Sequence, residues 1–231
     1  MIAKTANKHE IKTRETRALL LAAAETIFVR DGYEGSELGE IAALAGRTKG
    51  AIYAQFKSKE DIFLALIEDR ALRYRMQIEE ALSKSTSVAG NIAALREFYL
   101  QRAEDHGWAL LLLEFKLFAM RHPELKKRLK NLYAGMLAKS DERRLAGILG
   151  AASAGKGAVS RVIAIEAMYP VICGLVLEAQ LETNLSEEGV LEKVTNRIFD
   201  TLLDASVRKP RSSSQELVEK GKRKAKAHPS G

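Results

Sequence analysis

Arg47-Thr-Lys-Gly-Ala-Ile-Tyr-Ala-Gln-Phe-Lys-Ser-Lys59 is the stretch whose reading decides the fold. It carries Tyr53 and four cations, with no acid before Glu60. Ile52 and Phe56 stand four apart, so both fall on one side of a short helix and can pack inward. Lys49, Tyr53 and Gln55 are left to project outward. Just upstream, Leu38, Ile41, Ala42 and Ala45 recur at helical spacing and stop at Gly46. A helix, a glycine turn and a second helix is the layout of a DNA-reading helix-turn-helix. One helix with some lysines would be weak evidence; the pairing through the turn is strong evidence.

The rest of the N-terminal part fits that reading. The spacing predicts a flexible basic arm over 1–12 and a first helix from about Thr13 to Arg30. Leu20, Ala23, Ala24, Ile27 and Phe28 form its apolar stripe, and Gly32 ends it. Ser36 can cap the second helix, which runs through Ala45, and Thr48 the third, which runs to about Gln55. Ser58-Lys-Glu-Asp61 is a capping box that opens a long helix to about Leu82. Further helices are predicted over 88–105, 108–121, 123–149, 158–182 and, capped by Ser186, 186–207. Pro123 suits a first helical turn. No segment alternates as a strand would, so the expected fold class is all-α.

Composition bounds the function. The 231 residues are 46% hydrophobic and 29% charged, which describes a soluble globular chain. The net charge of +7 is a poor guide to nucleic acid, because residues 207–231 hold eight Lys/Arg against two Glu. Residues 1–60 hold ten Lys/Arg against eight acids. The case for DNA therefore rests on local placement. Cys173 is the single cysteine, so no internal disulfide can form and a reducing compartment fits. No apolar run follows the first lysines, so no signal peptide is expected. The four histidines are far apart in sequence and suggest no metal site. No Ser/His/Asp or Cys/His arrangement points to a catalytic residue.

Residues 17–63 resemble the N-terminal domain of the TetR family of bacterial transcriptional regulators. The resemblance is carried by Ala23-Ala24, Phe28, Gly32-Tyr33, Ile41-Ala42, Ala45-Gly46 and Gly50-Ala-Ile-Tyr53-Ala-Gln-Phe56-Lys-Ser-Lys59. About a dozen positions agree in register over nearly fifty residues; the remainder matches only in layout. Three positions depart from the pattern. Arg47 stands where a small aliphatic residue is usual, Gln55 where His is frequent, and Glu37 where a hydroxyl residue often faces a phosphate.

The resemblance implies three parts. Residues 1–58 form a three-helix DNA-binding domain with its arm, 59–207 a helical regulatory and dimerisation domain, and 208–231 a disordered basic tail. The candidate DNA contacts are Ser36, Arg47, Thr48, Lys49, Gly50, Tyr53, Gln55 and Lys59. Lys49 can reach a base edge, and Lys59 can neutralise a phosphate. Large, soft and aromatic residues in the helical part could line a pocket for a small apolar or amphipathic effector. They are Trp108, Leu112, Phe115, Phe118, Ala119, Tyr133, Met136, Met168, Tyr169 and Cys173.

From Val162 to Leu177 the sequence is nearly all apolar, with Glu166 the only charge. That run is short for a bilayer and contains Pro170, so no membrane span is expected. A helix apolar all round is buried on both sides. One side should face its own domain and the other a second subunit. The expected homodimer interface comprises Val171, Gly174, Leu175, Leu191, Val194, Ile198 and Leu202.

The expectation is thus a cytoplasmic bacterial regulator, a repressor that binds double-stranded DNA as a homodimer and is not an enzyme. It needs no metal or fixed cofactor and responds to an unknown effector. One alternative keeps the fold and dispenses with the effector, acting through a protein partner. Another is a phosphate-handling enzyme using Gly150–Gly157, which nearly matches a phosphate-binding loop. That segment lacks the closing Ser or Thr and follows a helix, so it reads as a plain connection.

Overall fold

The computed structural model describes residues 8–137, 142–150 and 159–203, and its described elements are all helical. They run α1 (Lys8–Gly35), α2 (Leu38–Leu44), α3 (Lys49–Tyr53), α4 (Lys59–Ser83), α5 (Val88–Ala103), α6 (His106–Arg121), α7 (Pro123–Leu137), α8 (Glu142–Leu149), α9 (Arg161–Ala179) and α10 (Val190–Leu203). A single 3-10 turn lies at Asn184–Ser186. The fold is all-α, an N-terminal helix-turn-helix followed by a helical domain.

Local chemistry explains the turns. Ala45 ends α2, and Gly46 takes a φ of 62°, a left-handed conformation that glycine adopts freely. The Arg47 N–H then donates to the Ala42 carbonyl at 2.8 Å and the Gly46 N–H to the Ala43 carbonyl at 3.0 Å. These are the paired bonds of a Schellman stop, and they fix the angle at which α3 leaves α2. At α4 the Ser58 hydroxyl accepts the Asp61 N–H at 3.2 Å. The Asp61 carboxylate reaches back to the Lys57 N–H at 3.0 Å, one residue before the cap. The capping box thus forms with a shifted return bond.

Several boundaries differ from the sequence expectation. α1 starts at Lys8, so part of the expected arm is helical. Glu10 sits in its first turn, where negative charge is favourable. Gly32 breaks α1, with φ 76° and ψ 171°, yet helical structure resumes to Gly35. The long helix expected over 123–149 is two helices. α7 packs on α4 and α6, whereas α8 packs on α5 and α9. Ser186 does not cap α10: its hydroxyl donates to the Ala179 carbonyl at 2.6 Å, and α10 begins after Gly189, whose φ is 73°. Of the Gly150–Gly157 segment only Gly150 is among the described residues, and the tail over 208–231 lies outside them.

Two apolar cores result. The first joins Leu20, Ala24, Ile27, Phe28 and Tyr33 of α1 to Ile41 and Ile52, to Phe63 and Leu66 of α4, and to Trp108, Phe115 and Ala119 of α6. The second joins α5, α8, α9 and α10 through Leu95, Tyr99, Leu149, Met168, Cys173, Val176, Phe199 and Leu203. Each fully buried Leu, Ile or Phe of this kind stabilises by about 1.5–3 kcal/mol. Tyr169 of α9 packs against both cores. Arg161 ties the second core together from within, at 2% exposure. Its guanidinium donates to the carbonyls of Leu149 at 3.2 Å and Gly150 at 3.3 Å, and to that of Leu203.

Candidate nucleic-acid interface

α3 is only five residues long, and its two faces are sharply different. Ile52 is 1% exposed and Phe56, just beyond the helix, is 4% exposed. The Arg17 guanidinium lies 4.6 Å above the Phe56 ring and closes the inward face. On the outward face Tyr53 is 60% exposed. Arg47, Thr48, Lys49 and Gly50 are exposed beside it. The Schellman stop and the two buried anchors thus present one cationic, aromatic ridge to solvent. Such a ridge fits a major groove, with amines for phosphates or guanine edges and a phenol for a phosphate or thymine methyl.

Other expected contacts fall elsewhere. Thr48 occupies the N-cap position of α3, but its hydroxyl makes no capping bond. Gln55 is half-buried, at the rim of an open groove of about 600 Å³ that Arg17, Lys57 and Arg128 also line. Ser36 is 4% exposed, and its hydroxyl donates to the Tyr33 carbonyl at 2.8 Å. It therefore neither caps α2, whose N-cap is Glu37, nor faces DNA. The Lys59 ammonium turns inward as well. It donates to the carbonyls of Glu34 at 3.0 Å and Ser36 at 3.1 Å, and lies 4.9 Å from the centre of the Tyr33 ring. α1 ends at Gly35, which leaves these carbonyls without helical partners, and the first residue of α4 satisfies them.

Sequence reasoning missed three residues that set this geometry. A Cβ on Gly39 of α2 would come within 2.5 Å of Lys49 Cε, so Gly39 is the notch across which Lys49 lies. Glu114 of α6 accepts the backbone N–H of Tyr33 at 2.9 Å and that of Glu34 at 3.3 Å. Arg70 of α4 donates to Glu25 of α1 at 2.5 Å and to Asp105, the N-cap of α6. Its guanidinium stacks 4.3 Å above Trp108. The spacing of Gly32 and Tyr33 signals a helix end but not the distant acid that receives its N–H groups.

The expected effector pocket divides. Trp108, Leu112, Phe115 and Ala119 are buried in the first core against α1 and α4, and Phe118 packs on Tyr33 at 4.9 Å between ring centres. Phe63 stacks on Phe115 at 3.9 Å. These five residues join α6 to the DNA-binding helices. Tyr133, Met136 and Tyr169 pack on that core only partly buried, whereas Met168 and Cys173 are buried in the second core. Burial pushes the Cys173 thiol above its usual range, which opposes thiolate chemistry.

Of the expected subunit interface, Val171, Gly174 and Leu175 are half-buried on α9. Leu191, Val194, Ile198 and Leu202 are half-buried on α10. Leu191, Ile198 and Leu202 pack partly against their own second core. α9 is long and apolar enough to cross a membrane, yet only 28% of its apolar window is buried within the chain.

Comparison with known proteins agrees with this geometry. Residues 20–66 match the sequence profile described as "Bacterial regulatory proteins, tetR family". The HTH-type transcriptional repressor AcnR of Corynebacterium efficiens is 27% identical over 203 residues, covering 86% of this chain and 96% of that protein. The HTH-type transcriptional repressor BepR of Brucella suis is 51% identical over 53 residues, 23% of this chain and 25% of that protein. Among solved structures, a putative TetR-family regulator from Rhodococcus superposes with a TM-score of 0.63 at 20% identity, covering 82% of this chain and 99% of that one. The fatty acid degradation regulator FadR from Bacillus halodurans superposes with a TM-score of 0.60 at 19% identity, covering 87% and 98%. These likenesses establish the fold, and the relatives are named repressors of transcription. Residues 20–66 are thus similar to the DNA-binding domain of the TetR family of bacterial regulatory proteins, and the rest of the chain shares the all-helical fold of its solved members.

Proposed function

We propose that this chain represses transcription in the bacterial cytoplasm as a homodimer on a pseudo-palindromic operator, and that a small apolar or amphipathic effector releases it. The observation that carries the reading is the outward ridge of α3, with Tyr53 in solvent beside Arg47 and Lys49 while Ile52 and Phe56 are buried. Arg47, Thr48, Lys49, Gly50 and Tyr53 are the proposed DNA contacts, with Lys49 reading a base edge. Gln55 contributes from the rim of the adjoining groove.

A dimer is supported by α9. Ile163, Ala167, Pro170, Gly174 and Leu177, with Leu181 just beyond, recur every three or four residues along one side. Ile163 and Leu181 are 56% and 64% exposed. A Cβ on Gly174 would meet nothing within 4 Å of its own chain. Such a stripe is apolar surface awaiting a second copy, with the Leu191, Val194, Ile198 and Leu202 ridge of α10 beside it. Two copies would set two α3 ridges in successive major grooves, about one duplex turn apart. Effector action requires different affinities for the two head spacings, a coupling of typically about 1–3 kcal/mol. Sedimentation of the free chain and of its complex with an operator duplex tests this reading. Two chains per duplex are expected; a chain that stays monomeric at micromolar concentration and binds singly would overturn it.

A further inference from the structure

Lys116 has no role in the reading so far. It lies on α6, two residues from the Glu114 that grips the broken end of α1, and is half-buried. Its ammonium sits 5.4 Å from the centre of the Tyr133 ring on α7 and within electrostatic reach of the Cys173 thiol on α9. No carboxylate pairs with it among the described residues. Arg70 and Arg96 by contrast are paired, Arg70 with Glu25 and Asp105 and Arg96 with Asp200. Close by, the Tyr169 hydroxyl is buried and finds no hydrogen-bond partner. Tyr169 and Cys173 are four apart on α9 and so share a face. The cluster therefore gathers an ammonium, two phenols and a thiol, each able to donate a hydrogen bond, with no carboxylate paired to the ammonium among the described residues. It lies where the core shared with the DNA-binding helices meets the core of α9 and α10, since Tyr169 packs on both.

We propose that Lys116, Tyr133, Tyr169 and Cys173 form the head-group end of the effector site, and that the effector is a small amphipathic acid, its carboxylate or phosphate held by the Lys116 ammonium. This rests on the effector reading above and narrows it to the charge of the head group. A lysine ammonium withdrawn from water with no carboxylate beside it gains a charge-assisted partner from an anion. Burial lowers the Lys116 pKa, and a neighbouring anion would favour its charged form. Met136, one turn along α7 from Tyr133, offers an adaptable apolar neighbour for the effector's body. The position also accounts for a response at the DNA. An anion drawn to Lys116 acts on the helix whose Glu114 holds Tyr33 and Glu34.

The test uses the full chain and probes with one carbon skeleton, kept below their micellar concentrations: decanoate, decyl phosphate, decanol and decylamine. Melting temperature and operator affinity are measured for each, in the wild type, Lys116→Met and Lys116→Arg. An acid probe should raise the melting temperature and weaken operator binding about tenfold, whereas decanol and decylamine should not. Decanoate and decyl phosphate separate a carboxylate head from a phosphate head. Lys116→Met should melt higher than the wild type without ligand and lose the response to acid, and Lys116→Arg should keep it. In the wild type with ¹³C-methylated lysines, the Lys116 resonance should shift on titration with the acid probe, a readout that needs no variant to fold. Decanol or decylamine acting as strongly as the acids, or an undiminished acid response in Lys116→Met, would overturn the acid head and leave the effector reading standing. A Lys116→Met protein that melts lower without ligand would also overturn it, by making Lys116 structural. If no probe of any charge changes either measurement, the effector reading falls with it.

Discussion

The Glu114 carboxylate accepts the Tyr33 backbone N–H at 2.9 Å, across 81 residues of sequence. This bond joins the helix-turn-helix to the helical domain at the point where α1 is broken. Gly32 releases the N–H groups of Tyr33 and Glu34 from the helical ladder, and Glu114 takes both. Lys59 holds the carbonyls of Glu34 and Ser36 from the other side. The approach to α2 is thus clamped by the first residue of the linking helix and by α6. The DNA-binding helices are therefore joined to α6 as well as to α4.

Removing the clamp should be measurable. Glu114→Ala leaves two N–H groups without their acceptor and should cost about 1–3 kcal/mol in urea unfolding. Gly32→Ala meets both a backbone at φ 76° and ψ 171°, a region almost confined to glycine, and a Glu114 oxygen 3.0 Å from the new Cβ, the backbone alone costing about 1–3 kcal/mol. In the Glu114→Ala background Gly32→Ala should cost less, because the crowding oxygen is gone. Equal costs in both backgrounds would show that the two residues do not act on one another.

Lys59→Ala should lower stability by about 1–3 kcal/mol, because two carbonyls lose a charged donor. The salt dependence of operator binding should stay near the wild-type slope, since the ammonium is engaged within the chain. A slope reduced by about one, with stability unchanged, would return Lys59 to the phosphate backbone.

Much of this was legible in the residues. Ala45-Gly46 announced the Schellman stop, Ser58 with Asp61 announced the start of α4, and the spacing of Ile52 and Phe56 gave the inward face of α3. Those signals are local, carried by side chains within a turn or two of one another. Ser36 and Lys59 are engaged within the chain because the end of α1 leaves free carbonyls, and the side chains that reach them are set by tertiary structure. The aromatic residues of α6 were ambiguous for a different reason. Trp108, Phe115 and Phe118 have the chemistry of a pocket wall and of a core alike, and only the packing of α1 against α6 decides between them. Lys116 escaped notice because a lysine in a helix normally faces solvent.

Arg161 gives a test of the second core. Arg161→Leu would strand the carbonyls of Leu149, Gly150 and Leu203, and should destabilise by at least about 3 kcal/mol, at about 1–3 kcal/mol for each lost acceptor bond. The loss should be largest in the melting of α8–α10, which hydrogen exchange can follow by segment. Uniform protection loss across α1–α4 as well would mean that the two cores melt as one.

Gly174→Trp places bulk where a Cβ meets nothing within its own chain. Monomer stability should therefore change little, while self-association weakens. Sedimentation across a concentration series should show the variant dissociating at concentrations where the wild type is dimeric. A variant that unfolds instead would put Gly174 inside the intrachain core.

The central claim is that two outward α3 ridges read two half-sites of one duplex. Selection of bound duplexes from a random library, repeated with Lys49→Ala, tests it most directly. The account predicts an inverted repeat with half-sites about one turn apart. With Lys49→Ala, discrimination at one position of each half-site should relax by about 1–3 kcal/mol, with smaller loss on random duplex. Enrichment of a single unrepeated site, or equal loss on selected and random duplex for Lys49→Ala, would contradict it.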